Sequence, residues 1–408
     1  MDPLYKIFSM KTSTEFNREY EKRREGETTV VLKLAIKPMN QSNIYPLYFI
    51  PTLRMFKLSQ DINKYDALLK EEFEDLPEIA KDKYILESII NELQNTNEIE
   101  GVRSSKEELV RSARALAMNK KTKARFTSMI HSYSQLMLKK LQQIDKIQDI
   151  RTIYDYLLKE EIDEKELPDG DIFRKDKCVV LKKSGTQKEI HQGVYPEKEI
   201  KNELENMLAF LNEEEEIPLI IKVIIGHYYF GYIHPFYDGN GRTSRFISSL
   251  YLQQEYSEIT SISLSRGCNF NAKKYLSIFE NTNKFSNAGE LNEFIETMLE
   301  IINETQKTML GEVKEKSTLL NLAKKAIEEV REKDELIDLE CSLLYILAQD
   351  YLFAPTPGLQ VNELKEIIHV GSTTARKTIN GLVNKGYVLY EGNRPKIYKI
   401  NKDFLESN

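Results

Sequence analysis

The sequence contains no tryptophan, three cysteines, and only 17 glycines and 12 prolines in 408 residues. Glycine and proline punctuate turns, so their scarcity favours long helices over a many-stranded sheet. The cysteines (Cys178, Cys268, Cys341) are scattered, with no CxxC pair and no histidine at zinc-ligand spacing. That argues for a reducing compartment and against a structural metal. Long hydrophobic runs are absent as well. The longest, Ile217 to Gly226, is short and is interrupted by Lys222, which excludes a spanning segment. The first residues, Met1-Asp2-Pro3-Leu4-Tyr5, lack the charged-then-apolar pattern of a signal peptide. A cytoplasmic protein with no membrane contact is expected. Positive charge is not in excess: the net charge is −6. Any nucleic-acid contact must therefore come from a local basic patch.

Apolar residues make up 41% and charged residues 30% of the chain, as in ordinary globular proteins. The length suffices for two or three domains. No internal repeat or low-complexity tract stands out. Thr28 to Ile36 is strand-like, and from Ile62 to Glu98 apolar residues recur at helical spacing (Leu68, Leu69, Phe73, Leu86, Ile89, Ile90, Leu93) up to Glu100-Gly101. A second helical region covers roughly 106–159, with Lys120, Lys121, Lys123 and Arg125 reading as a solvated face. Pro168-Asp169-Gly170-Asp171 marks a turn. A hairpin follows, Cys178 to Leu181 and Lys188 to Gln192 around a Lys-Ser-Gly-Thr turn. Helices are expected over Lys201–Leu211, Leu219–Tyr232, from Asn240 onward, and from Glu290 to about Glu332, with Glu213 to Glu216 a solvated loop. Three short helices (343–347, 361–368, 372–384) and two strands (387–390, 397–400) close the chain. That is the element order of a winged helix.

The chemistry concentrates in His234-Pro235-Phe236-Tyr237-Asp238-Gly239-Asn240-Gly241-Arg242-Thr243-Ser244-Arg245. Gly239 and Gly241 let the backbone approach a ligand closely. The loop opens into a helix whose first amides can bind phosphate oxygens. Arg242 and Arg245, three apart, share a helix face and can clamp further phosphate charge. Asp238 suits a Mg²⁺ that bridges phosphates, and His234, as a histidine, has an unperturbed pKa close to neutral pH, as a general base requires.

This segment resembles the Fic-family pattern HPFx(D/E)GNGRxxR at every defined position. The hairpin with His191 and Pro196 before a helix looks like that family's target-docking flap, and the likeness to its catalytic core covers about residues 110 to 300. The resemblance implies a mainly α fold: a helical Fic core with a β-hairpin flap, plus the C-terminal winged helix-turn-helix. It implies a protein adenylyltransferase, in which a target Ser, Thr or Tyr hydroxyl attacks the α-phosphate of ATP. His234 would take the proton and Asp238 would hold Mg²⁺. Gly239, Asn240 and Gly241 would form the anion hole, with Arg242, Thr243, Ser244 and Arg245 completing the nucleotide site. Tyr275 would line the adenine pocket. Glu189, Ile190, His191 and Gln192 would dock the target by strand addition. His227 reads as packed behind the site in preference to a second base.

Thr96-Asn97-Glu98-Ile99-Glu100-Gly101 resembles the family's inhibitory pattern (S/T)xxxE(G/N). Glu100 would pair with Arg245 and take the space of the γ-phosphate. A carboxylate at a helix C-terminus opposes the helix dipole, so a partner elsewhere is expected. Within the same site, removal of AMP with Glu100 orienting water, or transfer of UMP or another nucleotide, stays open. Between Gly371 and Lys402 seven basic residues (Arg376, Lys377, Lys385, Arg394, Lys396, Lys399, Lys402) face one acid, Glu391. With Ser372, Thr373 and Thr374 they suit DNA. A protein partner fits the same fold, and a DNA-binding regulator with a Fic sensor core is a further alternative. The expected organisation is an N-terminal region with the inhibitory helix (1–110), a catalytic core (111–300), a connecting helix (301–338) and the winged helix (339–408). Protein targets, self-modification and a homodimer are compatible with the resemblance.

Overall fold

A computed structural model describes residues 1–117, 124–158, 160–181, 188–213 and 216–406. The Lys120–Lys123 part of the basic cluster, the hairpin's Lys-Ser-Gly-Thr turn and the middle of the Glu213–Glu216 run lie outside these residues. The chain divides into two units, Met1–Ala67 with Glu92–Gln306, and Leu68–Asn91 with Lys307–Asn408.

In the first unit, the helix Leu219–Ile233 is apolar on all sides, and all its residues except Lys222 and Gly231 are buried. A helix without a polar face has to be enclosed. Here the helices Glu197–Glu213 and Asn240–Leu252 pack against it. Its C-terminus delivers His234. Two small antiparallel sheets support it. The strand-like Val30–Ile36 pairs with Tyr45–Phe49, a partner not expected because Pro46 sits inside it. Proline is tolerated on such an edge, where no ladder donor is needed. This hairpin reaches the central helix through Tyr229 Oη donating to Ala35 O (3.0 Å) and Lys37 N donating to Tyr232 Oη (2.8 Å). The second sheet is the expected hairpin, Val179–Leu181 with Glu189–Gln192.

The helical stretch expected from Ile62 to Glu98 is two helices, Leu53–Glu74 and Glu78–Glu100. Pro77 lies between them. It disfavours helical geometry at Leu76 and lacks an N–H, so one helix ends before it and the next begins after it. The region 106–159 likewise resolves into Lys106–Ala117, Thr127–Met137 and Ile147–Leu158. The connector expected at 301–338 is the later part of one continuous helix, Asn292–Lys333, since no proline interrupts it.

In the second unit, Asp338–Phe353, Val361–Ile367 and Ser372–Asn384 precede a hairpin of Val388–Glu391 and Ile397–Ile400. Leu344, Leu347, Leu364, Ile379, Leu382, Val388 and Tyr398 form its buried interior. Among the described residues no helix is long and apolar enough to cross a membrane.

Candidate active site

His234 caps the central helix in the left-handed region (φ 53°, ψ 61°), with its N–H donating to Phe230 O at 2.9 Å. This conformation is costly for a residue with a side chain and needs outside support. Arg174, fully buried, supplies it. Its Nε donates to His234 O (2.9 Å), Nη1 to Asp176 O (2.6 Å), and Nη2 to Val194 O (2.7 Å) and Ile233 O (3.4 Å). One guanidinium thus fastens the His234 loop to the base of the hairpin. Gly193 stands between them, where a Cβ would come within 2.9 Å of His234 Cβ. Burial, with Arg174 and His191 adding to it, pushes the His234 imidazole down to about 3, so the ring is neutral at pH 7.

The loop that follows is pinned by Asn240, whose Oδ1 accepts from Phe236 N (2.9 Å) while Nδ2 donates to Phe236 O (2.8 Å). With that side chain committed, Asn240 has its backbone amide left for a ligand. Gly239 (φ 82°) caps the helix without a side-chain bond, and the first intrahelical bond is Thr243 N to Gly239 O. The amides of residues 240–242 are therefore the unfilled donors of a helix N-terminus. Arg242 is 1% exposed and donates from Nη2 to Asp238 Oδ2 (3.3 Å). Its Nε and Nη1, and the hydroxyl of Thr243, are buried with no partner among the described residues. Buried donors of this kind ordinarily have an acceptor, from protein, water or ligand.

Arg245 is also 1% exposed, but each of its three nitrogens has a partner. Nε donates to Thr96 Oγ1 (2.9 Å), Nη2 to Glu100 Oε1 (2.7 Å) and to Thr96 O (3.3 Å), and Nη1 to Tyr275 Oη (3.4 Å). Burial opposes its charge, and the Glu100 carboxylate more than offsets this, raising its pKa. The Thr96 and Glu100 of the sequence pattern thus meet the second arginine of the loop. Gly241 makes this approach feasible, because a Cβ there would collide with the Glu100 carboxylate.

A cavity of about 430 Å³ opens here, lined by Glu100, His234, Asn240, Gly241, Ser244, Arg245 and Tyr275, by Val180, Leu181, Ile190 and His191 of the hairpin, and by Leu276 and Phe279. Asp238, Gly239, Arg242 and Thr243 are not among its lining residues. Ser244 Oγ and Ser248 Oγ meet His227 Nδ1 at 2.9 and 3.0 Å, and His227 Nε2 lies 2.8 Å from Tyr275 Oη. Burial pushes His227 down to about 3. It is a neutral hydrogen-bonding post in the cavity wall itself, not packed behind it as the sequence suggested, and it links Tyr275 to the helix that carries the arginines. On the hairpin, His191 is buried with Nε2 2.7 Å from Tyr232 O, whereas Glu189 is exposed and Ile190 and Gln192 are half-buried. Arg174, Gly193 and the wall formed by Leu276 and Phe279 carried no motif signal.

Residues 143–252 match the profile of the Fic/DOC family. The chain carries a domain of that family. Among solved structures, a Fic family protein from Desulfovibrio desulfuricans G20 is 16% identical, over 86% of this chain and 97% of that one, with a TM-score of 0.51. Fic-1 from C. elegans is 19% identical over 64% of this chain and 74% of that one (TM-score 0.41). A Fic domain containing signaling protein from Bacteroides thetaiotaomicron VPI-5482 is 15% identical over 64% and 97% (TM-score 0.40). The first of these supports a shared fold.

Proposed function

We propose that this protein transfers AMP from ATP to a Ser, Thr or Tyr hydroxyl of protein targets, itself included, and that Glu100 holds the reaction in check. Domains of this family generally transfer nucleotide-derived groups to proteins. The observation that carries the reading is the pair of unpartnered buried N–H groups on Arg242, next to the open amides of residues 240–242 and a neutral His234. A guanidinium kept from water with idle donors is a site for anionic oxygens.

In this reading the target hydroxyl attacks the α-phosphorus, and its proton passes to an imidazole nitrogen of His234. A new oxygen–phosphorus bond forms as the bond to the β-phosphate's bridging oxygen breaks, and pyrophosphate leaves with the electron pair. The loop amides and Arg242 oppose the charge that builds on the phosphoryl oxygens. Asp238 is half exposed, and among the described residues no group of three or more His, Cys, Asp or Glu could hold an ion. This fits Mg²⁺, which takes most of its ligands from phosphates and water and would there offset the charge of the leaving pyrophosphate. Glu189 is an exposed residue of the strand Glu189–Gln192, along whose free edge a target strand would add.

Glu100 supports the inhibitory reading because it occupies Arg245, the second cation of the loop. Removal of AMP is the reading it favours otherwise, since Glu100 and His234 line one cavity and could position water. For the C-terminal unit, Arg376, Lys377 and Arg394 are exposed and pair with no acid among the described residues, whereas Lys385 and Lys399 bind Glu340 and Glu391. The unpaired set favours DNA over a protein partner.

The test incubates wild type, Glu100→Gly and Glu100→Gly/His234→Ala with Mg²⁺ and α-labelled ATP. Labelling by Glu100→Gly alone supports transferase, brake and base together. A silent Glu100→Gly beside a wild type that strips AMP from a modified protein reverses the direction of the reaction.

A further inference from the structure

Glu92 is fully buried two turns before Glu100 on the same helix, and the motif reading has no use for it. Residues 92, 96 and 100 follow one another at four-residue spacing and so line one helix face. Thr96 and Glu100 hold Arg245. Glu92 holds the short helix Leu264–Phe270, with Oε1 accepting from Ser265 N (2.9 Å) and Oε2 from Ser265 N (3.0 Å) and Arg266 N (3.3 Å). The other end of that short helix grips the same partner. Asn269 Nδ2 donates to Asn95 Oδ1 and to Glu98 Oε2, both at 2.9 Å. Contacts therefore alternate along the inhibitory helix between this grip and Arg245.

We propose that Glu92 and Asn269 form a clamp that positions the inhibitory helix, so that Glu100 reaches Arg245 only while Leu264–Phe270 holds residues 92–98. This rests on the inhibitory reading of Glu100 given above. Glu100 is the last residue of its helix, because Gly101 follows with φ 78° and the chain turns away. The direction of the Glu100 side chain is set by the turns before it. Glu92 and Asn269 do not line the cavity and, among the described residues, hydrogen-bond to none of the loop, so they act through Glu100 as positioning residues.

The experiment introduces Glu92→Ala and Asn269→Ala, each into wild type and into Glu100→Gly. It reads transfer from α-labelled ATP and amide hydrogen exchange over residues 93–102. Removing the acceptor of two inward-facing N–H groups is expected to raise transfer about fivefold or more in wild type. Asn269→Ala should give a smaller rise, and neither should raise it further in Glu100→Gly, since one pathway is already open. Exchange over 93–102 should quicken in both backgrounds. Unchanged transfer in wild type, where Glu100→Gly does raise it, overturns the clamp as a regulator. Unchanged exchange overturns it as a structural device. If Glu100→Gly itself fails to raise transfer, the inhibitory reading is at fault, and exchange still decides the clamp. If Glu92→Ala does not fold, Asn269→Ala, a half-buried side chain with no core role, decides both points.

Discussion

The helices Asn240–Leu252 and Ser372–Asn384 each place two basic residues near their N-termini, Arg242 and Arg245 in one, Arg376 and Lys377 in the other. The first pair is 1% exposed, and every nitrogen of Arg245 has a partner while two atoms of Arg242 have none to give to. The second pair is open to solvent. Water satisfies an exposed guanidinium, so its lack of a protein partner costs nothing and constrains its role weakly. A buried one needs an acceptor, and the positions of its idle groups restrict what chemistry that acceptor can have. Burial thus restricts the chemistry of the first helix closely, and exposure leaves that of the second open.

This contrast can be sharpened by substitution. The largest effect is expected at His234, where His234→Ala in the Glu100→Gly background should reduce transfer by about 10²–10⁴-fold with nucleotide binding retained, measured by labelling and by ligand-induced melting shifts. Arg242→Met should also weaken transfer severely. Because it removes a buried charge with idle donors, it should leave thermal stability unchanged or higher, and a marked loss of stability would mean that Arg242 is structural. Glu100→Gly runs the other way, depriving Arg245 of its carboxylate. The apo protein should lose up to about 3–5 kcal/mol in denaturant unfolding, and added ATP should restore part of it.

A pH experiment addresses Glu92. Burial pushes its carboxyl up to about 7 against the pull of Ser265, Arg266 and Arg245, with Tyr133 and Cys268 also facing it. The folded state thus holds this proton more tightly than the unfolded one. The associated stability is present below pH 4.5 and lost as pH rises through 7. Measured relative to Glu92→Gln, wild type should lose on the order of 3 kcal/mol between pH 4.5 and 8. The smallest effect belongs to the exposed pair: Arg376→Ala/Lys377→Ala should change stability by less than about 0.5 kcal/mol. If the helix contacts DNA, it should also flatten the salt dependence of binding by about two counter-ions.

The helices Leu219–Ile233 and Ser372–Asn384 were legible because an apolar period and flanking breakers agree there. The loop His234–Arg245 was legible because its residue types are all chemically committed. The strand Tyr45–Phe49 was not, since Pro46 argues against a strand and only an edge position removes the objection. Arg174 was hidden for a different reason. In Phe173-Arg174-Lys175-Asp176-Lys177 it looks like any surface charge, and its burial depends on carbonyls 20 to 60 residues away. Glu92 was likewise one acid among many until the helix Leu264–Phe270 met it. Local pattern identifies residues whose neighbours in sequence share their task, but it misses residues whose partners arrive by tertiary folding.

The bare α-carbon of Gly241 has one more consequence. The volume that a side chain would fill there holds the Glu100 carboxylate, beside the amides that a phosphate would use. In the inhibitory reading Glu100 is then a tethered competitor, present at an effective concentration set by the rigidity of its helix and not by supply. Inhibition of this kind is unaffected by dilution of the protein. It would respond instead to anything that lengthens or loosens the tether, so its strength would be tuned about two helical turns away from the carboxylate itself.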